Sequence, residues 1–127
     1  MKPTVSERVT LVEVLERLRP LEEVAALVQT VVQRLEREGI EALASMQFYA
    51  DPSSPEISAI ITFSDSNHLM DHVNMVSGWE EFKRFSTMIK VTDMRIYGTL
   101  TPEAEAWIET FGGPIRKFAH PIAGFVR

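Results

Sequence analysis

Two histidines four residues apart are the first candidates for chemistry in this chain. Steps of four, three and four residues align side chains along one face of a helix, and this spacing joins His68, His72, Met75 and Trp79. A neutral imidazole on such a face can accept and return a proton, hydrogen-bond an acidic phenol or ligate a haem iron. The stripe therefore predicts a small-molecule site in which His72 is catalytic and the other three residues contact the substrate.

A purely structural role is the alternative for His72. The residue adjoins an apolar stripe formed by Leu69, Val73 and Val76, and histidine is often a packing residue at the edge of a core. No second catalytic group is identified beside it by sequence spacing.

Other polar residues are weaker candidates. Tyr49 and Asn74 could orient a carbonyl or phenol of a substrate, although Tyr49 also suits a strand-face aromatic residue and Asn74 a solvated helix position. Asp93 and Arg95 lie on one side of a predicted strand, and we interpret them as an interface salt bridge. Core and lid packing is the favoured interpretation of the aromatic cluster, which includes Trp79 of the stripe: Trp79, Phe82, Phe85, Trp107 and Phe111.

No metal site is predicted. His68 and His72 form an HxxxH pair, but a zinc site needs a third ligand, and the glutamate of the metalloprotease motif is missing. His120 lies in a C-terminal tail that the pattern does not place. The absence of cysteine also excludes disulfides, thiolate nucleophiles and cysteine-based zinc or iron–sulfur sites.

Composition indicates one globular domain over residues 1–127. Hydrophobic residues make up 45% of the chain and charged residues 24%, which is ordinary for a folded protein. The net charge of −5 and the lack of a basic cluster argue against a nucleic-acid or anionic-membrane partner. No secretory leader and no apolar run long enough to span a bilayer are evident, so a cytoplasmic protein is expected.

Hydrophobic periodicity predicts strand, helix, strand, strand, helix, strand. These elements are placed at residues 9–18, from Leu21 to about Gly39, at 42–50, 57–64, from Asp65 to about Val76, and at 91–97. In the first strand the apolar set is Val9, Leu11 and Val14, and the polar set is Thr10, Glu13 and Glu16. A break at Ser77 and Gly78 precedes a further helical piece.

This order is typical of a ferredoxin-like α+β fold with a four-stranded antiparallel sheet and two helices on one face. The core covers about residues 7–100, and residues 101–127 form an extension with a short helix at Thr101-Pro102 and an edge strand at residues 118–126. Residues 57–63 are apolar on nearly both sides, which predicts that a second copy covers the open sheet face in a homodimer.

Three segments resemble the dimeric α+β barrel superfamily, most closely its antibiotic-biosynthesis-monooxygenase-like branch. They are VTLVE at residues 9–13 running into Pro20, the hairpin ending at Phe63, and HVNMVSGWEEF at residues 72–82. The resemblance covers about residues 7–100. It implies sheet-to-sheet dimers with a pocket between sheet and helices in each subunit.

Members of that family include cofactor-independent oxygenases of aromatic polyketides, haem-degrading enzymes and proteins without an assigned reaction. The resemblance implies a homodimer that binds a small apolar or aromatic ligand and oxygenates it without a cofactor, with His72 as the base. The alternatives are a non-catalytic ligand-binding or structural homodimer and a haem-binding or haem-degrading protein with His72 as axial ligand. Fold similarity does not choose among them.

Overall fold

A computed structural model describes residues 7–111 and 113–127 of the chain. The elements in chain order are β1 (Val9–Arg17), α1 (Leu21–Glu38), β2 (Leu43–Ala50), β3 (Glu56–Phe63), α2 (Leu69–Val76), α3 (Glu80–Met88), β4 (Ile89–Tyr97), α4 (Pro102–Ile108) and β5 (Ile115–Phe118). The strands form one sheet in the order β2-β3-β1-β4-β5. The predicted βαββαβ core and the α+β class are confirmed.

Helix α1 forms the long cover on one face of the sheet. Pro20 precedes it, and Glu22 and Glu23 place negative charge in its first turn, where the helix dipole is positive. Its apolar residues recur at helical spacing, so one side of the helix is buried: Val24, Leu27, Val31 and Leu35.

The second helical region is divided, as the Ser77-Gly78 pair predicts. Helix α2 ends at Val76, and Trp79 is the extended residue that precedes α3. The change of direction interrupts the predicted stripe, so Trp79 does not continue the face of α2 that carries His72.

The two faces of the sheet differ in what covers them. Val9, Leu11 and Leu15 of β1 are buried with the helices, whereas Thr10, Val12 and Val14 point to the opposite face. Strand β3 alternates in the same way, and its second face carries Ser58, Ile60 and Thr62. Within one chain β3 is therefore buried on one face, and the other face stays open.

A fifth strand joins the four strands of the predicted core, so the sheet is mixed and not wholly antiparallel. The chain returns through α4, and a strand–helix–strand connection brings β5 alongside β4 in parallel. The last strand was predicted at residues 118–126, but it spans Ile115–Phe118, and the residues after it form no regular element. The position of β5 depends on its pairing with β4, and the sequence pattern of residues 115–126 does not specify that partner.

None of the helices in the described part of the chain combines the length and the apolarity that crossing a bilayer requires.

Candidate functional site

A cavity of about 380 Å³ lies between the helix-covered face of the sheet and the helices. Residues of β1, β2, β3, β4 and all four helices contribute to its walls. Most of these residues are apolar, and six of them are aromatic: Phe48, Phe63, Phe82, Phe85, Trp107 and Phe111. The last four belong to the cluster for which sequence analysis favoured core and lid packing. Phe48 meets Phe85, and Trp107 meets Phe111, edge to face with ring centroids 6.1 and 4.9 Å apart.

Five polar residues line the same cavity: Glu13, His72, Ser77, Ser86 and Thr110. The three hydroxyl groups donate hydrogen bonds to backbone carbonyls of their own helical segments, at 2.6 to 3.1 Å. Within residues 7–111 and 113–127, the side chains of Glu13 and His72 have no hydrogen-bond or charge partner. These two are the polar side chains of the described lining that have no partner, and both are titratable.

His72 lies on α2 and is 8% exposed. Its ring packs edge to face against Phe63, with centroids 5.3 Å apart, and its buried Nδ1 has no partner in the described part of the chain. Burial lowers the pKa of the His72 imidazole from 6.5 to about 4, because an apolar environment disfavours the charged form. At neutral pH the ring is uncharged, and it can donate or accept one hydrogen bond.

Glu13 was not identified from the sequence as a site residue. It occupies the same face of β1 as Leu11 and Leu15, and its cross-strand neighbours are Ala59 and Met94. The side chain is half-buried, and the surface that it keeps faces the cavity. It is removed from bulk solvent, and this burial raises the pKa of the Glu13 carboxyl from 4.5 to about 7. The sequence pattern that could have identified it is alternation: Glu13 lies two residues after Leu11 and two before Leu15, so all three side chains share the buried face of β1.

Glu13 and His72 occupy different parts of the cavity. Glu13 pairs with Ala59 across the strands, whereas His72 contacts the ring of Phe63. The four residue steps from Ala59 to Phe63 correspond to about 13 Å of strand backbone. Within the described chain no hydrogen bond joins the two groups, and one ligand that contacts both would extend along β3.

Three predicted site residues lie at the surface, outside the cavity. His68 is paired with Asp65, whose Oδ1 lies 2.8 Å from Nδ1, and this hydrogen bond raises the pKa of His68. Asn74 is exposed on α2. Tyr49 is 60% exposed and pairs with Ser58 on the open face of the sheet.

Met75 and Trp79 also lie outside the cavity lining. Met75 packs against the core cluster beneath α1. Trp79 is buried under Arg34, whose guanidinium carbon lies 3.9 Å from the indole centroid. Arg34 also donates a 2.9 Å hydrogen bond to Glu81, so this group connects α1 to α3. Of the six predicted site residues, the structure places His72 in the cavity.

Two further features of the sequence lie elsewhere. Asp93 and Arg95 approach to 3.4 Å on the open face of β4. Within the described residues, no group of three or more histidine, aspartate and glutamate side chains is placed to hold a metal ion.

Solved structures share this fold. The structure of MupZ from Pseudomonas fluorescens superposes with a TM-score of 0.72 at 13% identity, over 95% of each chain. SnoaB from Streptomyces nogalater, a cofactor-independent oxygenase, gives 0.61 at 8% identity over 75% of this chain and 95% of its own. A conserved protein from Methanosarcina mazei Go1 gives 0.55 at 16% identity, over 72% and 92%.

Likeness at these identities establishes the fold alone. The fold that the predicted resemblance implies is confirmed at that level. No family model and no curated protein matches the sequence.

Proposed function

We propose that this protein binds a phenolic or polycyclic aromatic molecule in the cavity and oxygenates it with O₂ without a cofactor. The observation that carries the proposal is an aromatic-walled cavity whose two unpartnered polar groups, Glu13 and His72, are both titratable. A volume of about 380 Å³ suits a compact ring system, since small-molecule sites commonly enclose about 300–1,000 Å³. The fold shared with SnoaB adds support, because that protein is a cofactor-independent oxygenase.

The proposed reaction starts with loss of a proton from an activated C–H or O–H group of the substrate to a titratable group of the cavity. The resulting anion passes one electron to O₂, and recombination forms a carbon–oxygen bond to a peroxide. Cleavage of the O–O bond with loss of water turns a methylene into a carbonyl. One oxygen atom remains in the product, the other leaves in water, and the substrate carbon supplies all four electrons.

The chain would contribute three things to this reaction. Its apolar walls exclude water from the anion and the peroxide. The neutral ring of His72 can donate a hydrogen bond to the oxygen on which negative charge develops. The aromatic side chains hold a flat substrate by stacking and edge contacts.

A second copy of the chain is proposed to cover the open sheet face. All four helices pack on the other face, and the open side presents Thr10, Val12, Ile60 and Thr62 at the centre of the sheet. β-Branched side chains of this kind pack well between two sheets. The cavity lies on the helix-covered side of the same sheet.

Haem does not fit the groups that line the cavity. Its two propionates need cationic or hydrogen-bonding partners, and no lysine or arginine is among the described lining residues. Glu13 would bring a third carboxyl into the same space.

The test is O₂ uptake with a panel of anthrones and quinols, comparing the wild type with His72→Phe and His120→Ala. Phenylalanine retains the ring volume but removes the nitrogen atoms, and His120 is an exposed histidine of the tail. We expect kcat/KM to fall by at least about tenfold in H72F, as for removal of an oxyanion donor, and to be unchanged in H120A. Binding without O₂ uptake by the wild type would leave a ligand-binding protein and contradict the oxygenase proposal.

A further inference from the structure

We propose that Glu13 is the group that takes the proton, and that the ligand is an uncharged aromatic molecule with an acidic O–H or C–H near Glu13 and an oxygen near His72. The inference rests on the proposed function, which it deepens by assigning the base and the ligand class. It starts from the position of Glu13 on the buried face of β1, between Leu11 and Leu15.

The surroundings of Glu13 give its carboxyl nothing to bind. Ala59 and Met94 flank it on the neighbouring strands, and within the described chain no hydrogen bond or ion pair reaches it. Among the described lining residues the other titratable group is His72 of α2, which packs against Phe63 at a different position along β3. An unpaired carboxyl in such a place destabilises the fold, so a structural role does not account for it.

A carboxyl in this position is suited to proton transfer. Burial raises the pKa of Glu13 to about 7, so the group is partly ionised at neutral pH and is a stronger base than an exposed carboxylate. The acidic positions of phenols, with a pKa near 10 as in tyrosine, lie within reach of such a base. The imidazole of His72 has its pKa lowered to about 4, which makes it the weaker base of the two and leaves it as a hydrogen-bond donor or acceptor.

The separation of the two groups limits the shape of the ligand. About 13 Å of strand lies between the position of Glu13 and that of Phe63, against which His72 packs. A ligand of two or three fused rings, with polar atoms at opposite ends, suits two groups placed at different positions along β3.

The charge of the cavity limits the ligand further. The described lining residues include no lysine or arginine, and Glu13 becomes negative above neutral pH. A ligand that carries its own carboxylate would be repelled and left unpaired. We therefore expect an anthrone to bind and its carboxylated analogue to bind at least about tenfold more weakly, the order of effect of one unfavourable charge.

The experiment uses anthrone under anaerobic conditions in D₂O, where binding and proton exchange are observed without turnover. A base that removes the acidic proton of the bound ligand and returns a deuteron exchanges it, so proton transfer is followed as the rate of deuterium incorporation between pH 5 and 9. The variants are Glu13→Gln and, as a control on the opposite face of the same strand, Glu16→Gln. Thermal unfolding is measured for each, and Glu13→Leu provides a second variant without the carboxyl.

We expect the wild type and E16Q to bind anthrone and to exchange its acidic proton at a rate that rises with pH and has its midpoint near 7, where Glu13 becomes the carboxylate. E13Q should bind within a few-fold of the wild type but exchange this proton about 100-fold more slowly, and its O₂ uptake should fall by a similar factor, as for loss of a general base. Equal exchange and equal uptake in E13Q would overturn the assignment of Glu13 and leave the proposed function standing. Failure of the wild type to bind any member of the panel would overturn both.

Discussion

Glu13 and His72 are both driven toward the neutral form by the same cause, the removal of their side chains from water. The pKa of the acid rises and the pKa of the base falls, and neither residue has a partner within the described chain to oppose the change. The cavity therefore holds two uncharged groups at mildly acidic pH, which is compatible with its apolar walls.

These shifts predict opposite pH dependences of stability. Glu13 has a pKa of about 7 in the folded chain against 4.5 ordinarily, so its contribution is complete below pH 4.5 and is lost as the pH rises through 7. His72 has a pKa of about 4 against 6.5, so its contribution is complete above pH 6.5 and is lost as the pH falls through 4. The two slopes oppose each other between pH 4.5 and 6.5.

Urea unfolding at a series of pH values separates the two contributions. The free energy of unfolding of E13Q minus that of the wild type should increase by about 3 kcal/mol between pH 4 and 8. The corresponding difference for H72F should decrease over the same interval by a similar amount. All other titratable groups are common to the proteins compared, so a pH-independent difference would show that the substituted residue titrates as an exposed one.

At the scale of elements, glycine is required by the backbone in one of two turns and not in the other. Gly98 follows β4 with φ of +114°, and a Cβ atom there would collide with the carbonyl oxygen of Arg8 at the start of β1. Its backbone N–H also donates to the carbonyl of Phe118, so the ends of three strands meet at this residue. Gly78, in the turn between α2 and α3, has an ordinary φ, and the nearest atom to a Cβ would be 3.6 Å away.

Alanine substitutions should distinguish these turns. Gly98→Ala combines a left-handed backbone with a steric collision and should lower the free energy of unfolding by about 2 kcal/mol or more. Gly78→Ala should change it by less than about 0.5 kcal/mol, because neither condition applies. Chemical denaturation measures both, and a loss of the same size in G78A would contradict this account of the two turns.

At the scale of the whole molecule, the five-stranded sheet separates the cavity from the face proposed for dimer formation. The described lining of the cavity lies on the helix-covered side, whereas Thr10, Val12, Ile60 and Thr62 lie on the side proposed to meet a second copy. The proposed ligand site is thus built from residues of one chain, and dimer formation and ligand binding should be separable.

Sedimentation velocity is expected to show a dimer for the wild type and a monomer for Ile60→Lys. A lysine at the centre of the open face would bury an unpaired charge between two sheets. Gln29→Lys, on the exposed side of α1, is the control and should remain dimeric. The monomeric variant should keep its fold and bind anthrone with nearly wild-type affinity, and a wild-type protein that is monomeric at micromolar concentrations would contradict the proposed interface.

The order of strands and helices could be read from the chain because periodicity and breakers act locally. Strands β1 to β4, helix α1 and the break before Trp79 follow from alternation, from helical spacing and from Pro20 and Gly78. His72 could be singled out for a similar reason, since a histidine beside an apolar helical stripe points toward whatever that stripe covers.

Three features depended on contacts between segments distant in the chain. Strand β5 pairs in parallel with β4 through the α4 crossover, Glu13 faces the cavity together with Leu11 and Leu15, and Trp79 packs under Arg34. In each case the outcome is set by the neighbour that packs against the residue, and no local pattern specifies that neighbour. From residue type alone, Glu13 was interpreted as a polar residue of a strand. Its enclosure by the helices raises the pKa of its carboxyl and makes it a candidate for proton transfer.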